Sequence, residues 1–441
     1  MDKKGGQPPR GNRVALDLVL TNVTRLPWLR YASVRDWTDW DAPEAVESPV
    51  HRIHPYPAKF PAHIPARAIA LARAEGRRVR RVGDVFCGCG TVAYEGRQHG
   101  LDFWGCDINP VAALIARVKS SDHARAHILA LAAEVERRHV DARAESLFSS
   151  RVTEQLLRWF TPEQFAKLAR LRQAIERSSD AHSPQRDLLD CAFSASLKPS
   201  SQWRSRSTKP ALDSQKIPAD PLNCFLKQMR LFASAWGDRA AVPSGGSVSI
   251  AVASATNVAP PQTPLDLLIS SPPYVTSYEY ADLHQLSLLW LGFLEDHREL
   301  RAGMVGSASN RGNFATDYKR LNDTASHLCF SIYGQDPTAA GAVAQYYLDM
   351  QTAVKNSVRL LANDGMAVFV VGNVTLKGVE MDNARHLIES MLESGFRRVR
   401  VGRRAISNKK NTSYRSSDGR LTSDPSQRRV YAHEYILVGE K

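Results

Sequence analysis

Short apolar runs bounded by glycine, proline or an acid alternate with longer amphipathic stretches along most of this chain. The first run, residues 82–86, breaks into Cys87-Gly88-Cys89-Gly90. Residues 91–99 suit a helix that Gly100 stops, and residues 103–106 form a second strand ending in Asp107. Residues 110–177 turn helical, with Leu156, Leu157 and Phe160 at helical spacing, and Thr161-Pro162-Glu163-Gln164 predicts an N-cap followed by proline at the first helical position. Residues 178–246 are mixed, and the polar run 200–210 reads as a loop. Strands resume at 247–252 and 265–270, helices follow at 283–293 and 342–361, and Gly365 precedes a strand at 366–371. An amphipathic helix at 382–393, stopped by Gly395, leads to strands at 396–401 and 433–438. No internal repeat is visible. Seven strands alternating with helices until the last two predict an α/β fold: a doubly wound, mostly parallel sheet closed by an antiparallel hairpin.

The same pattern divides the chain into four parts. Residues 1–49 form a polar tail and an irregular lead-in holding Trp28, Trp37 and Trp40. Residues 50–119 begin the core, residues 120–246 are a mainly helical insertion, and residues 247–441 complete the core.

Length and composition then narrow the class. At 441 residues, 43% hydrophobic and 23% charged, the chain is globular rather than disordered or fibrous. Its apolar runs are strand-sized, far short of the ~18 residues a membrane span needs, and the start MDKKGGQPPRGNR has no apolar core for export. Six scattered cysteines make no disulfide framework, so a reducing cytoplasm is the expected location. A formal net charge of +13 makes a polyanion the first partner to consider.

The glycine turn carries the first chemistry. It stands where a strand ends and a helix starts, so its glycines let backbone approach a ligand and the helix N-terminus offers free N–H groups. Two ligands fit. Gly88-x-Gly90-x-x-Ala93 with Asp107 as the ribose acid reads as a dinucleotide fingerprint. Asp84-x-Phe86-x-Gly88-x-Gly90-Thr91 instead resembles the first motif of S-adenosylmethionine-dependent amino-methyltransferases, in which Asp107 would hold the ribose hydroxyls. Cys87, Cys89 and Cys106 fall close together, but C-x-C is not a zinc-ribbon spacing and no fourth ligand is recognisable, so no metal is expected.

Residues 265–270 form a buried-looking strand that ends in Ser271-Pro272-Pro273-Tyr274. Two prolines there stiffen the corner and delete two N–H donors, leaving carbonyls outward. Ser-Pro-Pro-Tyr is similar to the catalytic motif of DNA methyltransferases acting on exocyclic amines, and YEYADLHQLSLLWLG after it resembles that family's continuation. His54-Pro55-Tyr56-Pro57-Ala58-Lys59-Phe60-Pro61 resembles its cofactor-pocket segment, and the last strand, HEYILVGEK, resembles its closing hairpin. The likeness covers residues 50–119 and 247–441. It departs at Val85, where proline is usual, at Cys89, where serine is common, and at Ser254, where the third strand often ends in an acid.

The resemblance implies a Rossmann-like methyltransferase fold with S-adenosyl-L-methionine held by Tyr56, Pro57, Ala58, Lys59, Phe60, Asp84, Phe86, Cys87, Gly88, Gly90, Thr91, Asp107, Ile108, Asn109 and Ser254. Ser271, Pro272, Pro273 and Tyr274 would form the catalytic corner. A conjugated amine is a poor nucleophile. The Ser271 hydroxyl and the Pro272 carbonyl can accept its hydrogens and free its lone pair, while Tyr274 stacks on a flipped base. The serine version implies N4 of cytosine, with adenine N6 as the alternative and an RNA amine or a non-catalytic DNA-binding protein behind. C5 chemistry needs a thiolate presented after proline, and the sequence has no Pro-Cys pair. A restriction endonuclease as cognate partner is implied by resemblance only.

Double-stranded DNA also suits the charge distribution. Between Arg397 and Arg429 stand eleven Lys and Arg against two Asp. Arg403, Arg404, Lys409, Lys410 and Arg415 from that segment, Trp203, Arg204 and Arg206 from the 200–210 loop, and Asn310 and Arg311 are the candidate DNA contacts.

Overall fold

The computed structural model describes residues 31–36, 40–41, 46–143, 148–237, 246–275, 279–406, 414–415, 421–422, 428–429 and 433–441. Eight strands build its main sheet: β1 (Tyr31–Asp36), β2 (Arg81–Asp84), β3 (Asp102–Asp107), β4 (Val248–Val252), β5 (Leu265–Ser270), β6 (Leu361–Val371), β9 (Arg398–Ala405) and β13 (His433–Glu440). Short strands β7 (Val374–Leu376) and β8 (Val379–Met381) pair with each other, and β10 (Tyr414–Arg415), β11 (Leu421–Thr422) and β12 (Arg428–Arg429) form a small three-stranded sheet.

The sheet order is β1-β9-β13-β6-β5-β2-β3-β4. All neighbours run parallel except β13, which is antiparallel to both β6 and β9. The doubly wound, Rossmann-like sheet and its closing hairpin are therefore present as the alternation predicted. The seven expected strands all lie in it, and β1, from the segment read as an irregular lead-in, adds an eighth by pairing with β9. Its partner lies more than 360 residues away, so nothing local marked it as a strand.

Both faces of the sheet are covered, which explains the nearly continuous apolar runs of its central strands. Along β6, Met366, Val368 and Val370 enter one core while Ala367, Phe369 and Val371 enter the other. Helices α1 (His63–Ala74) and α2 (Thr91–Gln98) cover the first face. α12 (Asp323–Tyr333), α13 (Pro337–Leu360) and α14 (Asn383–Glu393) cover the second.

A third core gathers the helices α3 (Pro110–Ser120), α4 (Arg125–Val140), α5 (Ser150–Leu157), α6 (Pro162–Ser178), α7 (Pro184–Leu197) and α8 (Pro221–Gly237). At its centre Trp290 is ringed by Phe148, Phe160, Phe165 and Phe193. Thr161 caps α6 through Gln164 N at 3.3 Å with Pro162 at the first position, as its sequence signature predicts. The helix expected at 283–293 is instead two short ones, α9 (Tyr280–Leu283) and α10 (Gln285–Trp290), broken at His284. A further short helix, α11 (Phe314–Asp317), lies in a region where no element was foreseen. Among the described residues no helix is long and apolar enough to cross a membrane.

Candidate active site

In an open α/β sheet ligands bind beyond the carboxyl ends of the strands where the winding reverses. Here β3 and β4 lie on one side of β2, and β5 and β6 on the other, so the switch point falls between β2 and β5. These two strands pair at Val82↔Leu267 and Gly83↔Leu268. The glycine turn and the Ser-Pro-Pro-Tyr corner, 181 residues apart from Gly90 to Ser271, thereby leave the sheet side by side.

One carboxylate fastens them together. Asp84, 2% exposed, accepts the Ser270 hydroxyl at 2.5 Å and the Phe86 N–H at 2.9 Å, both on Oδ1. Burial pushes its pKa up to about 7 against the pull of those two bonds. Asp84 is thus a bracket beneath the turn.

The turn itself depends on two left-handed glycines, Gly88 at φ 51° and Gly90 at φ 77°. A Cβ on Gly90 would sit 2.6 Å from Ala116 of α3, so glycine is required there twice over. Asp107 at the end of β3 accepts the Gly88 N–H at 2.8 Å and the Asn109 N–H at 2.9 Å. Burial raises its pKa to about 6, opposed by these bonds. Thr91 opens α2, and its buried Oγ1 has no partner. Cys87, Cys89 and Cys106 are buried, and burial raises the thiol pKa of Cys87 and Cys106.

The segment before the first helix folds over this turn. The Tyr56 hydroxyl lies 3.5 Å from where a Gly88 Cβ would stand, and its ring stacks on Tyr280 with centroids 5.9 Å apart. Ala58 holds a left-handed backbone at φ 51°, a strained conformation for a residue with a Cβ. Lys59 pairs with Glu47 at 2.5 Å, so its charge is already met, and Phe60 packs against the sheet core. Asn109 is spent on two structural bonds, capping Val111 N at 3.0 Å and meeting His284 Nδ1 at 2.7 Å. Burial lowers the His284 pKa to about 3, so this imidazole is neutral and accepts at Nδ1.

Ile108 faces the 302–311 segment closely enough that a Cβ on Gly303 would stand 2.5 Å from its Cδ1. Beside this contact opens a cleft of about 290 Å³ lined by Thr256, Gly303, Asn310, Arg311, Gln345 and Asp349. Ser254 borders it through a 2.9 Å bond to the Thr256 hydroxyl. Burial raises the Asp349 pKa, although Gln345 donates to its Oδ1 at 2.8 Å.

At the corner, Ser271 donates its hydroxyl proton to the Val370 carbonyl at 3.2 Å. Tyr346 of α13 donates to the Pro273 carbonyl at 3.0 Å, and Tyr274 donates to Glu434 of β13 at 3.1 Å. Tyr346, His284 and Glu434 were not singled out in the sequence. A lone histidine in an apolar run and an acid at the start of a buried strand were the available signals.

The expected DNA contacts separate. Arg204 and Arg206 are exposed on their loop and Arg311 on the rim of the cleft, while Asn310 donates to the Met304 carbonyl at 2.9 Å. Trp203 is a correction: it is 2% exposed, stacked on Trp159 with centroids 4.9 Å apart, and belongs to the helical core. Arg404 is a second correction, being 4% exposed and paired with Glu434. Arg403 is half-buried, Lys409 and Lys410 lie outside the described residues, and Arg415 is placed by its backbone in β10.

Comparison with known proteins meets this geometry. The chain is 23% identical over 359 residues to the type II methyltransferase M.MvaI of Kocuria varians, a match covering 75% of this chain and 78% of that one. A methyltransferase is what it resembles. No family model matches. Among solved structures, the rRNA methyltransferase aviRa of Streptomyces viridochromogenes covers 90% of both chains at 9% identity and a TM-score of 0.28. A SAM-dependent methyltransferase of Methanosarcina mazei covers 84% of this chain and 96% of that one, also at 9% identity and 0.28.

Proposed function

We propose that this chain is a DNA methyltransferase that uses S-adenosyl-L-methionine to methylate an exocyclic amine, N4 of cytosine, as the modification partner of a cognate restriction endonuclease. The observation that carries the reading is the direction of the Ser271 hydroxyl. Its proton is committed to the Val370 carbonyl, so the oxygen lone pairs remain to accept hydrogen bonds. An amine brought beside that oxygen is gripped through its hydrogens, which loosens the conjugation of its lone pair with the ring. The Tyr274 ring on the same corner supplies a stacking surface for a base turned out of the duplex.

The residues of the neighbouring turn fit the cofactor. Gly88 and Gly90 keep the backbone bare, and Asp107 retains acceptor capacity for ribose hydroxyls beyond its two backbone bonds. In the cleft beside Ile108, Asp349 provides the carboxylate that Ser254 does not, suited to an adenine amine. The bound group would supply a methyl carried on a positive sulfur. Ser271 and Tyr274 would hold the amine beside it, and placement of this kind accounts for much of the rate in such transfers. The amine gives up one proton to solvent after methylation, and no strong base in the corner is needed. Similarity to a type II methyltransferase supports DNA as the substrate.

Digestion of DNA from cells producing the chain, followed by nucleoside mass spectrometry, tests the reading. N4-methyldeoxycytidine is expected. N6-methyldeoxyadenosine in its place would overturn the choice of base, and neither product would overturn the function.

A further inference from the structure

Arg404 and Glu434 face each other across the closing hairpin, where the register pairs the two residues directly. They are 4% and 8% exposed, and an Arg404 Nη2 to Glu434 Oε2 ion pair joins them. A buried ion pair gains little net stability, because desolvating two charges offsets their attraction. Stability alone is therefore a poor reason to place one beside a ligand site. The carboxylate has a second task. Oε2 is taken by Arg404, while Oε1 accepts the Tyr274 hydroxyl at 3.1 Å.

The tyrosine is held from other directions too. A Cβ at Gly372, just past β6, would lie 3.1 Å from Tyr274 Cε2 and 3.2 Å from Cζ, so the ring closes against bare backbone. Below it, the Tyr346 bond fixes the Pro273 carbonyl. A ring with two free torsions is thus restrained at its root, its edge and its hydroxyl. A hydrogen bond to a charged acceptor is roughly twice as strong as a neutral one and is directional, so it selects one ring orientation.

We propose that the Arg404–Glu434 pair is a positioning device for Tyr274, holding the ring in the orientation on which the target base stacks. This rests on reading residues 271–274 as the base-binding corner. Arg404 acts through Glu434, Glu434 acts through Tyr274, and neither touches the base. The geometry accounts for a charge pair buried within the closing hairpin.

The test measures single-turnover transfer of tritiated methyl from S-adenosylmethionine to unmethylated DNA, together with KM for the cofactor. Tyr274→Phe removes the hydroxyl and keeps the ring. Arg404→Met with Glu434→Leu removes both charges together, leaving neither buried alone. Each is expected to slow transfer about tenfold, the worth of one charged hydrogen bond, with the cofactor KM unchanged. All three changes together should be no slower than either alone, because they break one linkage. A wild-type rate in Tyr274→Phe, or losses that multiply to about a hundredfold, would overturn the proposal. Tyr274→Phe carries the test if the charge-pair variant does not fold. Tyr274→Ala distinguishes the levels: if it methylates normally, the corner reading falls and this inference with it. If Tyr274→Ala is crippled while the folded charge-pair variant is normal, only the positioning role falls.

Discussion

Replacing Asp84 by asparagine probes the bracket between the two halves of the site. Both hydrogen bonds to Asp84 end on Oδ1, and asparagine can present its amide oxygen there with nearly the same shape. What changes is the charge. Burial raises the pKa of this group from 3.8 to about 7, so the folded protein disfavours the carboxylate relative to the unfolded chain. The cost is absent below about pH 4, where the acid is neutral in both states. It grows between about pH 4 and pH 7 and is complete above that. Each tenfold change in acidity is worth about 1.4 kcal/mol, so the full cost is roughly 4 kcal/mol. Asp84→Asn should therefore match the wild type in urea unfolding near pH 4 and exceed it by about 2–4 kcal/mol at pH 8. The lower end allows for relaxation around the charge. Equal stabilities at pH 8, or a variant less stable there by more than about 1 kcal/mol, would refute the account of Asp84 as a desolvated acid. Asp84→Ala provides the contrast, since it strands the Ser270 hydroxyl and the Phe86 N–H and should cost about 2–4 kcal/mol at pH 4.

Three further outcomes follow from the site. If Asp107, with its pKa raised to about 6, accepts ribose hydroxyls as a carboxylate, calorimetric affinity for S-adenosylmethionine should rise with pH through about 6 and level off above 7. Asp107→Asn should flatten that profile. Trp203→Ala, removing a core ring stacked on Trp159, should lose about 3–5 kcal/mol in denaturant unfolding while a folded sample keeps its salt dependence of DNA binding. Exposed Arg204 and Arg206 changed together to glutamine should instead leave stability within about 0.5 kcal/mol. If both touch phosphate, they should flatten the log K against log salt plot by about 2.

The two motifs were legible because each is local: a glycine turn and a proline corner are defined by consecutive residues whose backbone needs are written in their types. The alternation of apolar runs likewise sufficed for the doubly wound sheet, since burial on both faces leaves its mark in every central strand. Side-chain roles were legible only in part. Trp203 and Arg204 are neighbours in one polar loop, yet Trp203 is sealed against Trp159 while Arg204 remains exposed. Strand β1 was hidden for the same reason, its partner β9 being remote in the chain.

The residues alone therefore carried the likeness to a methyltransferase and set both motifs at the ends of strands. Tertiary structure decided which groups are left to do it. Arg403 and Arg404 differ by one position, and because successive side chains on a strand point to opposite faces, only the register against β13 sets Arg404 opposite Glu434. That register turns an expected phosphate contact into the buried partner of the carboxylate that holds Tyr274. Burial and long-range pairing are properties of the assembled sheet, and no short stretch of sequence contains them.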